Sequence, residues 1–171
     1  VVGEVAAACR AKGLAFGVYL SPWDRSQPSF GTPAYHAVFL QQLRELCSNY
    51  GPLFEVWFDG AHCPPDDPAL FDWQAVFRLV RELQPEAVIA ITGPDVRWVG
   101  NEQGYAPYPA WQTVKCQDAE TGLSTAAHSD PEGDVWLPME CDTTLLDHKW
   151  FWGAHTDHML KSVDKLMDIY V

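Results

Sequence analysis

Three short apolar runs, Ala15–Leu20, Phe54–Asp59 and Ala87–Ile91, alternate with stretches of helical spacing, and this alternation constrains the fold most. The runs are rich in β-branched and aromatic side chains, as buried strands are. Val1, Val5 and Cys9 share one helical face ahead of a stop at Gly13. Thr32 and Pro33 read as an N-cap and first-turn pair, opening a helix that runs to about Tyr50 with Phe39, Leu43 and Leu46 inward. Leu70 to Leu83 places Phe77, Val80 and Leu83 on one side and stops near Pro85. The order α-β-α-β-α-β, with strands starting near residues 15, 54 and 87, predicts right-handed βαβ units and a parallel sheet.

A doubly wound sheet and a (β/α)8 barrel both fit that order. No Gly-rich phosphate fingerprint follows any strand, which weakens the nucleotide-binding version. The strands end instead in Trp, Asp, Arg and Glu, as barrel active sites do. A full barrel usually takes about 250 residues, and this chain has 171. The expectation is therefore an α/β chain forming a partial (β/α)8 (TIM-like) barrel truncated at both ends, with residues 1–171 part of a single catalytic barrel domain. In keeping with this, Val1 lies in a helical pattern without an N-cap, and the chain stops at Val171 inside an apolar-periodic helix. Beyond residue 92 the pattern is poorer. Trp111–Val114 and Val135–Pro138 read as short strands, with a polar loop from Ala119 to Gly133 between them. Thr156 reads as the cap of a last helix whose apolar face carries Met159, Val163, Leu166, Met167 and Tyr170.

Composition narrows the partners. A net charge of −12 with only 11 Lys and Arg argues against nucleic acid, which needs a basic patch. No run of 18 apolar residues exists to span a membrane. Five Cys with no C-x-x-C pair are not a disulfide framework, and an odd number leaves at least one thiol free within the chain. Eight Trp are a heavy load, suited to sugar faces or interfaces as well as to core packing.

Asp59 ends the apolar run Phe54-Glu55-Val56-Trp57-Phe58. A carboxylate there is costly unless it is paired or used, and in α/β folds chemistry is done at the carboxyl ends of strands. The plainer reading is an Asp-Gly turn. Glu102 lies one βα unit further on, so the two carboxylates are placed over one mouth. Glycoside hydrolysis needs such a pair, one ionised and one protonated, and a separation of roughly 5–5.5 Å gives the retaining route. Alone, Glu102 reads as a solvated loop residue. Asp24 and Asp95 are rivals by position that also read as turn residues. His148, His155 and His158 lack a third ligand at convincing spacing, so no metal and no cofactor is expected. His62-Cys63 lacks a readable oxyanion device, and Asp66-Asp67 reads as a helix cap.

Gly13–Asp24, Asn49-Tyr50-Gly51-Pro52 with Glu55–Gly60, Gly93–Glu102, Pro138–Asp142 and Trp150-Phe151-Trp152 together resemble α-L-fucosidases of glycoside hydrolase family 29, closest to the branch acting on α-1,3/1,4-linked fucose. The resemblance implies a retaining exo-glycosidase on a (β/α)8-like barrel that releases terminal α-L-fucose from a fucosylated oligosaccharide or glycoconjugate. It implies Asp59 as nucleophile, Glu102 as acid/base, Tyr19, Trp57 and Arg97 as sugar-contacting or nucleophile-orienting groups, and Trp150 as pocket wall. It implies a secreted or periplasmic setting. The family's His-His-Asp-Gly-Phe segment, expected ahead of Val1, is not in this sequence, nor is an Arg near Cys141–Asp147. The isolated stretch is accordingly expected to be unstable or inactive. The alternatives are a non-catalytic sugar-binding barrel fragment and a barrel glycosidase of different sugar specificity.

Overall fold

The computed structural model of the chain describes residues 1–59, 71–90, 93–119 and 125–170. Helix α1 (Val2–Ala11) leads to strand β1 (Gly17–Leu20), and α2 (Pro33–Asn49) to β2 (Glu55–Phe58). Helix α3 (Trp73–Leu83) then leads to β3 (Val88–Ala90). The three strands form one parallel sheet in the order β1-β2-β3, with Tyr19 opposite Trp57 and Trp57 opposite Ala90. The α/β alternation is thus present as two consecutive parallel units.

Strand alternation sorts the sheet into two chemically different faces. Val18, Val56, Phe58 and Ile89 point to one side, where they pack with Tyr35, Phe39 and Leu43 of α2 and Val76, Phe77 and Val80 of α3. Each such side chain, fully buried, contributes roughly 1.5–3 kcal/mol. The opposite face carries Tyr19, Glu55 and Trp57, with Asp59 one step beyond the end of β2. Strand β1 lies close to its neighbour here: a Cβ on Gly17 would come within 3.0 Å of the Glu55 carbonyl oxygen. This polar, aromatic face is where the candidate site sits.

Several boundaries differ from the sequence expectation. Helix α3 starts at Trp73 rather than Leu70, because the Asp72 carboxylate accepts the Ala75 N–H at 3.0 Å and caps it. Gly60, the His62-Cys63 pair, Asp66, Asp67, Leu70, Ile91 and Thr92 lie outside the described residues. In α1 the buried residue is Ala6, whereas Val1 and Val5 are exposed, so the helix sits rotated from the Val1–Val5–Cys9 face. Thr32 precedes α2, but its hydroxyl donates to the Ser29 carbonyl instead of capping.

The segment expected as a loop after β3 contains strand β4 (Arg97–Trp98). Further on come β5 (Thr113–Val114), α4 (Cys116–Ala119), β6 (Val135–Trp136) and β7 (Met139–Glu140). Strand β4 pairs in parallel with β7, and β5 pairs antiparallel with β6. Two-residue strands are too short to leave a period in the sequence. Residues 157–159 form a 3-10 turn, and the last helix, α5, runs only over Val163–Tyr170. Val163 and Met167 of α5 are exposed rather than packed. Among the described residues no helix is long and apolar enough to cross a membrane.

Candidate active site

The polar face of β1 and β2 holds a short chain of contacts. The Tyr19 hydroxyl donates to Oδ2 of Asp59. Burial, and then the Asp59 carboxylate it donates to, push the Tyr19 phenol up to about 12, so it stays a donor at any physiological pH. The Tyr19 ring stacks on Trp57, with centroids 5.2 Å apart and planes 24° from parallel. The Trp57 indole N–H donates in turn to Oε1 of Glu140 at 3.1 Å. A half-buried indole needs such an acceptor, and the carboxylate fixes its plane.

Glu140 belongs to β7, so a strand far along the chain braces the aromatic pair beside Asp59. The same strand anchors the segment that leads to Glu102. The Arg97 and Val99 amides donate to the carbonyls of Pro138 and Glu140 at 2.9 and 3.0 Å. The Trp98 indole donates to Oδ1 of Asp142 at 2.6 Å. Glu102 follows three residues after Val99, exposed, and its Oε2 accepts the Trp150 indole N–H at 3.1 Å.

Asp142 ties the two halves together. Burial pushes its carboxyl above the usual range, the Trp98 hydrogen bond opposes this, and the charges of Glu102 and Asp59 both add to the rise. A carboxyl that senses both groups lies within electrostatic reach of each. Asp142 is thus the group on which both carboxylates bear. Beneath them, burial and then Glu140 raise the carboxyl of Glu55.

Five of the six residues singled out from sequence, Asp59, Glu102, Tyr19, Trp57 and Trp150, lie in these contacts. Arg97 is placed differently. It is fully buried, and its two Nη groups donate to the carbonyls of Thr125 and Trp111 at 3.0 and 2.8 Å. Alternation along β4 explains this: Trp98 points toward Asp142, so Arg97 faces the other way. Burial alone lowers its pKa. The rival carboxylates have local duties. Asp24 accepts from the Ser26 amide and hydroxyl, and Asp95 pairs with Arg81 at 2.5 Å and caps the Ile89 amide at 2.8 Å.

Glu140 and Asp142 had no role in the sequence reading beyond the motif that contains them. The signal that could have found them is chemical. Trp57 and Trp98 each bring a donor to the strands around Asp59 and need acceptors, and the acidic Pro138–Asp142 run supplies two.

Comparison with known proteins adds the family. The alpha-L-fucosidase family model matches residues 1–171. An alpha-L-fucosidase 1 of Arabidopsis thaliana is 38% identical over 175 residues, covering 99% of this chain and 34% of that protein. The crystal structure of a glycoside hydrolase 29 family member from an unknown rumen bacterium is 40% identical, with a TM-score of 0.83 over 99% of this chain and 33% of that one. A mutant family 29 fucosidase of Ruminococcus gnavus, in complex with fucose, is 27% identical with a TM-score of 0.77, over 99% of this chain and 40% of its own. The chain spans about a third of the length of the curated relatives it matches, 33% and 34%.

Proposed function

We propose, from the premise that this chain belongs to the alpha-L-fucosidase family, that it carries the catalytic pair of a retaining glycoside hydrolase releasing terminal α-L-fucose from fucosylated oligosaccharides or glycoconjugates. The observation that supports the proposal is that Asp59 and Glu102 each accept a hydrogen bond from an aromatic donor, Tyr19 and Trp150, and that both charges bear on Asp142. That the neighbouring Ruminococcus gnavus fucosidase binds fucose supports the choice of sugar.

In this reading Asp59 attacks the anomeric carbon while Glu102 protonates the departing oxygen. A covalent fucosyl-enzyme forms, and Glu102, now a carboxylate, takes a proton from the water that releases fucose. Tyr19 holds Asp59 in line for attack, Trp57 offers its ring to the apolar side of the sugar, and Trp150 orients Glu102. Arg97 serves the framework, tying the Thr125 and Trp111 segments to β4. No cofactor is needed, because both proton transfers and the nucleophile come from side chains. The three parallel strands are read as consecutive strands of a (β/α)8 barrel, and residues 1–171 as part of its single catalytic domain. The six family 29 neighbours that match 99% of the chain, at TM-scores of 0.77–0.83, support that architecture.

The test is to trap the intermediate. A 2-fluoro-fucosyl reagent with a good leaving group, incubated with the full-length protein, leaves a mass-shifted peptide containing Asp59. A label on any other residue, or none alongside normal turnover of an aryl fucoside, overturns the assignment. Asp59→Asn abolishes turnover, and near-normal activity in that variant has the same consequence.

A further inference from the structure

Glu102 and Trp150 stand on the wall of a cavity of about 530 Å³ that Tyr105, Lys149, Lys161 and Lys165 also line. A general acid has to reach the departing oxygen, so the space Glu102 opens on is the leaving-group side. We propose that this cavity is a subsite for an anionic group, a carboxylate or a sulfate, carried by the leaving-group sugar. The proposal rests on the hydrolase reading above and names the class of substrate that reading would favour.

The charge distribution carries it. The chain has a net charge of −12 and five lysines, Lys12, Lys115, Lys149, Lys161 and Lys165. Three of the five line this one cavity. Lys161 is only 9% exposed, an expensive position for an ammonium group. Its Nζ donates to the carbonyls of Thr144 and Leu146, which uses two of its three donors and leaves one. Lys149 lies over Gly153, where a Cβ would come within 3.1 Å of Nζ. Lys165 pairs with Asp147 at 2.9 Å. Against these stand the carboxylates of Asp147 and Glu102, which also line the cavity with His148. Three lysines and two carboxylates thus line one cavity, and one of the carboxylates, Asp147, is already paired with Lys165. Tyr105 and Trp150 supply aromatic faces for the sugar ring itself.

The experiment compares three substrates on the full-length protein. These are an α-fucosyl galactoside, the same disaccharide sulfated at galactose O6, and its galacturonate counterpart. At low ionic strength the acidic substrates are expected to show kcat/KM about three- to tenfold above the neutral one. The ratio should fall toward one in molar salt. Lys149→Glu brings the ratio to one or below, while Lys12→Glu, at the far end of α1, leaves it in place. A preference confined to the sulfated or to the carboxylated arm identifies which anion the site takes. A ratio of one or less in the unaltered protein, or a ratio that Lys149→Glu does not change, overturns the subsite while leaving the fucosidase reading intact. If no fucoside is cleaved, the fucosidase reading falls instead, and the pocket is decided by calorimetric titration with galactose 6-sulfate. Binding lost in Lys149→Glu supports the pocket, and no binding ends it.

Discussion

Glu140→Ala tests whether the aromatic pair beside Asp59 is held in place from β7. The Trp57 indole N–H meets Oε1 of Glu140 at 3.1 Å, within the normal N–H···O range. Such bonds are worth about 1.5–3 kcal/mol. Two effects of the substitution oppose one another in stability. The lost bond strands a half-buried donor, but the change also relieves Glu55, whose carboxyl is pushed up by burial and then by Glu140. The net change in unfolding free energy is therefore expected to be below the value of the bond itself. Catalysis has no such offset, because Trp57 stacks on Tyr19 and Tyr19 holds Asp59. If the whole of the bond serves positioning, kcat/KM on an aryl fucoside falls by about one to two powers of ten, at 1.4 kcal/mol per power. A double-mutant cycle with Trp57→Phe isolates the effect, since phenylalanine has no N–H to lose. Glu140→Ala made on top of Trp57→Phe should then cost little more than Trp57→Phe alone. An equal loss in both backgrounds refutes the bracing role and leaves Glu140 acting elsewhere.

Trp150→Phe removes the donor to Glu102. At this exposed position the bond is worth about 0.5–1.5 kcal/mol, a loss of roughly two- to tenfold in kcat/KM. The loss should be confined to fucosides with poor leaving groups, which depend on the acid, and an equal loss with a nitrophenyl leaving group contradicts that. Azide restores turnover of an activated fucoside in Glu102→Ala, and absence of rescue argues against Glu102 as the acid/base. Arg97→Met strands two carbonyls and should cost about 2–5 kcal/mol in denaturant unfolding. The folded fraction should keep kcat/KM within a few-fold, and a hundredfold loss in folded protein would return Arg97 to the sugar. Asp142 binds its proton more tightly folded than unfolded, so its contribution to stability is greatest at low pH and is lost as pH rises through the raised value. Against Asp142→Asn, which keeps the acceptor for Trp98, the native protein should lose relative stability as pH rises above the ordinary carboxylate range. A difference that is flat across that rise refutes the assignment.

What the sequence disclosed and what it hid divide along physical lines. Three strands and three helices were legible from their apolar runs and helical spacing, and Asp59 stood out as a candidate because a carboxylate breaks an apolar run. Glu102 was located by counting one βα unit on from Asp59, which needs only the order of elements. The β4–β7 pairing was not legible, since two residues carry no period and the partners lie about forty positions apart. That pairing also decides which way Arg97 points. The family resemblance implied a sugar-contacting or nucleophile-orienting Arg97; set in a strand beside Trp98, it faces the side opposite Asp142. The face of α1 that is buried also follows from packing, which the spacing of Val1, Val5 and Cys9 does not contain.

The donors around the site share one property that bears on its chemistry. Tyr19 holds Asp59, Trp57 holds Glu140, Trp98 holds Asp142 and Trp150 holds Glu102. Each donor is a neutral aromatic group. A guanidinium or ammonium in the same place would orient a carboxylate as well, but it would also depress the carboxyl pKa by 1–3 units. That is tolerable for a nucleophile and ruinous for a group that must carry a proton. It would also place positive charge beside a transition state that is itself cationic at the sugar. Neutral donors avoid both penalties while still fixing direction, and their rings add faces on which a pyranose can rest. The carboxyls of Asp142 and Glu55 are raised by burial first, and the like charge gathered here adds to the rise. The lysines nearest Glu102, which line the same cavity, are themselves engaged: Lys165 pairs with Asp147 and Lys161 with the carbonyls of Thr144 and Leu146.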